Sequence, residues 1–417
     1  MTYKIIIIVI AVLGSAFSLV LEYVKYRSAE NPTPKELSDV YDVSTYERWK
    51  KYSSEHSVLN LISTAAISVI SIILLVTNVY AAFASIFDNV IWDLYSVVIL
   101  ETAVGAVVGF VKKYFETMVI EQKYGFNRTS VKTFIFDGIK MTFGQFGLSV
   151  FLVAIIFLFH SGLGDWMIIP VIVALYVLIL VVNLLYPVMR RLGNKFTPLE
   201  DGELKDRLTL LLERHNYKVK DIEVMDASKR TSKLNAYFTG AGKSKRIVLY
   251  DNLVNSMSTD EICAVFAHEL GHGLNKDVTI RKLLSLCNFT LLAVVAWAMV
   301  RDPELYVQFG FEKINYGFTF VVLGIVLGLL QPLLGMFINW VCRKQELLAD
   351  SQAVKEGYGV SLVSGLKKLA KENFAHLSPS RMNVVLEYSH PPLADRISAV
   401  EKALAEMECS ENKEKSK

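Results

Sequence analysis

The chain has 417 residues, with 44 Lys and Arg against 41 Asp and Glu for a formal net charge of +3, and 53% of its residues are hydrophobic. With a mean hydropathy of +0.37 and repeated long apolar runs, this composition argues against an ordinary soluble domain. The small net charge argues against a nucleic-acid partner, so no nucleic acid is expected and the lipid bilayer is.

Roughly seven apolar runs read as membrane spans: 4–24, 58–83, 92–111, 145–162, 166–189, 283–300 and 316–341. The first exceeds the apolar region of a usual signal peptide and reads as an uncleaved anchor. This divides the chain into a five-span region (1–189), a polar segment (190–282), two further spans (283–341) and a polar C-terminal segment (342–417). Glu101 lies within a span, where a carboxylate faces protein or a water-filled cavity. With Asn78, Asn183 and Asn288 it points either to a hydrated interior or to interhelical hydrogen bonding. Gly105/Gly109 and Gly324/Gly328, each four apart, read as close helix packing. The charged tail 411–417 is expected to be disordered.

Two crossings separate the polar segments, so they fall on one side of the membrane. Loops on that side carry Lys25, Arg27, Lys35, Lys112, Lys113, Arg128, Lys132, Arg190, Arg191 and Lys195. The opposite turns carry Asp88, Asp93, Asp165, Asp302 and Glu304. The positive-inside rule places the first side in the cytosol. The four cysteines, Cys263, Cys287, Cys342 and Cys409, have no paired spacing, which fits a reducing compartment and argues against a thiolate metal site.

Within the first polar segment, 197–217 reads as a helix with Leu204, Leu208, Leu211 and Leu212 on one side, and 221–225 and 246–250 read as short strands. Asn235, Ala236, Tyr237 and Phe238 form a candidate edge strand onto which an extended peptide substrate could be added, or an ordinary hairpin strand. Ser258-Thr259-Asp260-Glu261 is a helix-capping signature upstream of His268-Glu269-Leu270-Gly271-His272. Residues four apart on a helix point from one face, so His268 and His272 can share one zinc ion, one per chain. Glu269 lies beside that face, where a carboxylate can relay a proton from water to the departing amine.

A catalytic zinc site needs a third protein ligand, and the segment after the last span supplies Glu346 and Asp350 at helical spacing. One can ligate while the other accepts from an imidazole N–H, or both can serve solubility alone. Downstream, His390-Pro391-Pro392 precedes a helix start and Arg396 follows. His390 could donate to an oxyanion with Arg396 as electrostatic support, or act as a local cap.

Taken together these residues resemble the integral-membrane zinc metallopeptidases typified by the type 1 CAAX prenyl protease, Ste24. The resemblance is carried by Glu121-Gln122-Lys123-Tyr124-Gly125-Phe126-Asn127, Asn235-Ala236-Tyr237, His268 to His272, Glu346 with Ala349-Asp350, and His390-Pro391-Pro392 with Arg396. It implies a mainly α, polytopic fold of about seven helices around a hydrated chamber, with a zincin-like domain containing a small β-sheet. It also implies Glu346 as third ligand, Asn235 onward as binder of substrate backbone, and His390 and Arg396 at the oxyanion. The implied substrate is a peptide or protein, prenylated or not, and a monomer is expected. The short loops between spans favour a bacterial inner membrane, with the endoplasmic reticulum as the alternative.

Overall fold

The computed structural model describes residues 2–191, 193–239 and 245–415. The membrane part begins with α1 (Thr2–Ser28), α2 (Val43–Val76), α3 (Val79–Ala84), α4 (Val90–Tyr114), α5 (Gln122–Tyr124), α6 (Val131–Leu163) and α7 (Ile168–Arg191). Around a small sheet follow α8 (Glu203–Arg214), α9 (Asp251–Ser256) and α10 (Thr259–Leu274), then α11 (Asp277–Val300), α12 (Glu304–Val307) and α13 (Tyr316–Lys355). The chain closes with α14 (Gly359–Glu372), α15 (Arg381–Leu386) and α16 (Leu393–Lys415). Among the described residues, six stretches are long and apolar enough to cross a membrane, and one of them, Val131–Leu185, comprises two helices. These are α6 and α7, parted where Gly164 takes a φ of +53°, so seven helices stand where seven spans are expected.

Local chemistry sets where the helices begin and end. Side chains of Asp42, Asn89, Ser130 and Asn315 accept backbone N–H bonds at the starts of α2, α4, α6 and α13, each satisfying a donor that the first turn leaves open. The second span departs from expectation. It starts earlier, at Val43, and the run 58–83 is broken at Asn78, whose φ is +56°. Asparagine tolerates this conformation, and the Asn78 carboxamide oxygen accepts from Lys4 Nζ at 2.6 Å, which fixes the break.

The glycine pairs are a second correction. A Cβ on Gly105, Gly109, Gly324 or Gly328 would meet nothing within 4 Å, so none of them marks a tight helix contact. Close approach occurs instead at Gly317, where a Cβ would lie 3.1 Å from the Leu94 carbonyl oxygen. Glu101 accepts a hydrogen bond from the Tyr80 hydroxyl. The tail expected to be disordered continues α16 to Lys415, and 416–417 lie outside the described residues.

The sheet contains β1 (Phe196–Pro198), β2 (Asp221–Met225), β3 (Ala236–Thr239) and β4 (Arg246–Tyr250) in the order β1-β2-β4-β3. β2 and β4 run parallel with Ile222 opposite Ile247, while β1 and β3 flank them antiparallel. The expected helix over 197–217 is thus shorter: its beginning pairs with β2 as a strand, and α8 starts only after Gly202. Pro198 is compatible with that strand because it sits on an edge. Leu208, Leu211 and Leu212 of α8 pack with Ile247 and Leu249 of the sheet and with Phe266 and Leu270 of α10. Each such buried side chain contributes about 1.5–3 kcal/mol.

Helix α10 then meets the extension of α13 beyond the membrane. A Cβ on Gly271 would come within 2.8 Å of the Ala349 Cα, so only glycine permits this approach. Alanine favours an isolated helix by about 1 kcal/mol, but a backbone clash between packed helices outweighs that preference. Gly271→Ala is therefore expected to destabilise the protein by about 1–3 kcal/mol, read as a lower thermal unfolding midpoint in detergent. An unchanged or raised midpoint would show that the two helices are free to separate.

Candidate metal centre and active site

The helix that carries the site is anchored at its start. Ser258 accepts from the Glu261 N–H while the Glu261 carboxylate accepts from the Ser258 N–H at 2.9 Å, a reciprocal cap that fixes α10 ahead of His268. One turn apart, the His268 and His272 rings lie 4.8 Å between centroids and turn their Nε2 atoms toward α13. There Glu346, 2% exposed, places Oε2 3.5 Å from His268 Nε2 and Oε1 3.3 Å from His272 Nε2. One ligand atom from each of the three residues falls within 4.8 Å of the others.

The opposite ring edges are engaged by acids. His268 Nδ1 is 2.8 Å from Asp350 Oδ1, and His272 Nδ1 is 2.7 Å from Asp277 Oδ2. These contacts put the N–H on Nδ1 and leave each Nε2 with a lone pair aimed at the same point. Glu346 Oε2 is buried and accepts no hydrogen bond, with His390 Nδ1 2.8 Å away as an ion-pair contact. Two imidazole lone pairs and an orphaned carboxylate oxygen are the donor set of a tetrahedral site with one open position.

Arg396 lies behind Asp350. Its Nε is 2.8 Å from Asp350 Oδ2 and its Nη2 2.6 Å from Asp350 Oδ1, a two-pronged pair that anchors the acid behind His268. Its Nη1 is 3.9 Å from Glu346 Oε2. His390 is largely exposed at the mouth of the cluster. The loop that bears it is braced from α13, where Arg343 Nη1 donates to the Val384 and Tyr388 carbonyls, each at 2.7 Å. Glu269 is half-buried beside His268.

Asn235 to Phe238 fall on the edge of the sheet. Phe238 pairs with Ile247 in β3, the outermost strand, whose other edge carries no strand among the described residues. Asn235 is exposed, just ahead of β3, and its carbonyl accepts from Tyr250 N at 3.1 Å. The structure thus gathers His268, Glu269, His272, Glu346, Asp350, His390 and Arg396 in one cluster. Asp277 escaped the sequence reading. The available signal was an acid in the first turn of a span five residues after His272, a place where an acid is ordinarily explained by the helix dipole alone.

Burial lowers the affinity of His268 for a proton, but the neighbouring Asp350 and Glu346 carboxylates outweigh it and bring the pKa up to about 9. Burial would raise Glu346, yet His268 and His272 hold its carboxyl well below the usual range. Glu269 is pushed up by burial, only partly offset by the neighbouring histidines.

An apolar helical bundle that carries a His–His–Glu cluster on a small α+β domain defines a membrane-spanning metallopeptidase. The families described as "Peptidase family M48" and "CAAX prenyl protease N-terminal, five membrane helices" match residues 198–404 and 22–190. The CAAX prenyl protease 1 homolog of Arabidopsis thaliana is 37% identical over 295 residues, covering 69% of this chain and 68% of the relative. The CAAX prenyl protease 1 of Saccharomyces cerevisiae is 30% identical over 431 residues, 96% of this chain and 95% of the relative. The crystal structure of S. mikatae Ste24p superposes with a TM-score of 0.89 at 27% identity over 96% of this chain and 99% of that one. This chain belongs to the Ste24 family.

A cation at this cluster competes with the proton on His268. Because that proton is held up to about pH 9 and His272 is raised as well, apparent zinc affinity is expected to climb steadily as pH rises toward 9, and to level off above it. Chelator competition across pH 6–10 measures this, and a flat profile would count against a shared cation.

Proposed function

We propose that the chain hydrolyses peptide bonds of membrane-associated substrates, with His268, His272 and Glu346 holding one zinc ion. The convergence of both Nε2 atoms on the buried Glu346 carboxylate, whose Oε2 accepts no hydrogen bond, carries this reading. When bound, zinc supplies Lewis-acid polarisation of a carbonyl and lowers the pKa of water to about 7.

The remaining chemistry belongs to side chains. Glu269, its carboxyl raised by burial toward the range useful for proton transfer, accepts the proton of the attacking water and delivers it to the leaving amine. His390, exposed at the mouth, donates to the oxyanion. Arg396 acts through Asp350, which orients His268. The outer edge of β3, which pairs with no strand among the described residues, takes the substrate backbone as an added strand along Asn235, Ala236, Tyr237 and Phe238.

We further assign the peptidase domain to two parts, 190–282 and 342–417, separated by the spans in 283–341 and carried on 1–189. The catalytic end faces the cytosol. In support, Lys25 and Arg27 close α1 and Lys112 and Lys113 close α4. The α1 end at Leu21 and Ser28 touches Asn383 and His376 of the C-terminal part, whereas Tyr3, at the other end, bonds Asp302. A bacterial inner membrane and the endoplasmic reticulum both offer that cytosolic face.

The relatives are named as CAAX prenyl proteases, and we assign the same substrate class here: prenylated CAAX peptides. Purified protein is expected to cleave a farnesylated CAAX peptide, to stop on chelation and to resume with zinc. Equal cleavage of the unmodified peptide would replace this with general membrane proteolysis, and zinc binding without turnover would mean an inactive scaffold. Glu269→Gln should retain zinc while kcat falls by orders of magnitude, and parental kcat would reject the proton relay. Glu346→Ala should lose stoichiometric zinc, and full occupancy would reject it as a ligand.

A further inference from the structure

We propose that Asp277 is a positioning residue of the metal centre, fixing the ring of His272 as Asp350 fixes that of His268. The proposal rests on the reading of His272 as a metal ligand. Asp277 is the first residue of α11, where an acid is commonly found at the positive end of the helix dipole, and such an acid does its work while exposed. Asp277 is instead 1% exposed, and the hydrogen bond of its carboxylate goes to His272 Nδ1 at 2.7 Å. A buried carboxylate directed at an imidazole is costly unless that contact is needed.

The backbone is shaped to deliver it. Only Asn275 and Lys276 separate α10 from α11, and Lys276 adopts a φ of +57°, unusual for a residue with a side chain. This tight turn brings the start of a membrane helix back under the last turn of α10, so the acid five residues on meets the outer edge of the His272 ring. The result is symmetric. Each histidine presents Nε2 toward Glu346 and gives Nδ1 to a buried aspartate, one from α13 and one from α11. With Asp277 in place the Nδ1–H tautomer is favoured and the ring cannot rotate away. Without it, both ring nitrogens are available to the proton and the ring is free to turn.

Full-length Asp277→Ala, purified in detergent and stripped of metal, is the test. Zinc affinity by chelator competition is expected to fall about 10–100-fold. The thermal midpoint of the metal-free protein should stay near the parental value, while the rise in midpoint on adding zinc shrinks. If the Ala variant does not fold, Asp277→Asn, with the same shape and no charge, carries the same measurements, with a loss at the lower end of that range. Parental affinity, or a lower metal-free midpoint with an unchanged zinc-induced rise, would overturn the proposal and leave Asp277 as part of the helix junction only. His272→Ala separates the two levels. If it loses zinc while the Asp277 variants bind like the parent, only the positioning role fails. If it keeps parental affinity, the ligand reading fails and takes this proposal with it.

Discussion

Everything at the catalytic end depends on one close contact, the meeting of α10 and α13 at Gly271 and Ala349. Two imidazoles on the first helix and a carboxylate on the second can share a point only if the axes approach to the distance that a missing side chain allows. Once they do, the buried Glu346 carboxylate faces two ring nitrogens, and the acids behind those rings fix which nitrogen is presented. The cluster is therefore an outcome of helix packing, with its electrostatics following from the geometry.

Much of this was visible in the residues before any coordinates. The capping signature at Ser258, the four-residue spacing of His268 and His272, and the strands at 221–225 and 246–250 all rest on short-range rules, and the structure follows them. Glu346 could be placed on the correct side by counting crossings. What escaped depends on tertiary context. Residues 196–198 form a strand only because β2 lies alongside, and Asn78 breaks a span through a bond to Lys4, far away in sequence. The glycine pairs match a packing pattern, but no neighbouring helix comes within 4 Å of where their Cβ atoms would stand. Asp277 was invisible because its neighbour in space comes from the turn at Lys276, which no periodicity reports.

The soluble and membrane parts are joined by more than the chain. Glu121, at the end of the π-helical turn that continues α4, accepts from Tyr52 at 2.7 Å and from Lys233 at 2.9 Å, while Arg128 N donates to the Arg230 carbonyl. From the other side the Asn373 side chain bonds both backbone groups of Leu234, at 2.8 and 3.0 Å. The stretch leading into β3 is thus gripped between a membrane loop and the C-terminal part. This explains why a motif as distant as Glu121 to Asn127 belongs with the site: it sets the position of the sheet edge relative to the membrane helices.

The interleaving of the peptidase with the last two spans also governs when the protein can act. A ribosome that has completed α10 has made His268, Glu269 and His272, yet Glu346, Asp350, His390 and Arg396 all await two more membrane insertions. Until then the His–His–Glu cluster is incomplete. Correct topology becomes a precondition for bringing the cluster together, because a molecule in which only one of the last two spans inserts leaves His268 and His272 on one face of the bilayer and Glu346 on the other.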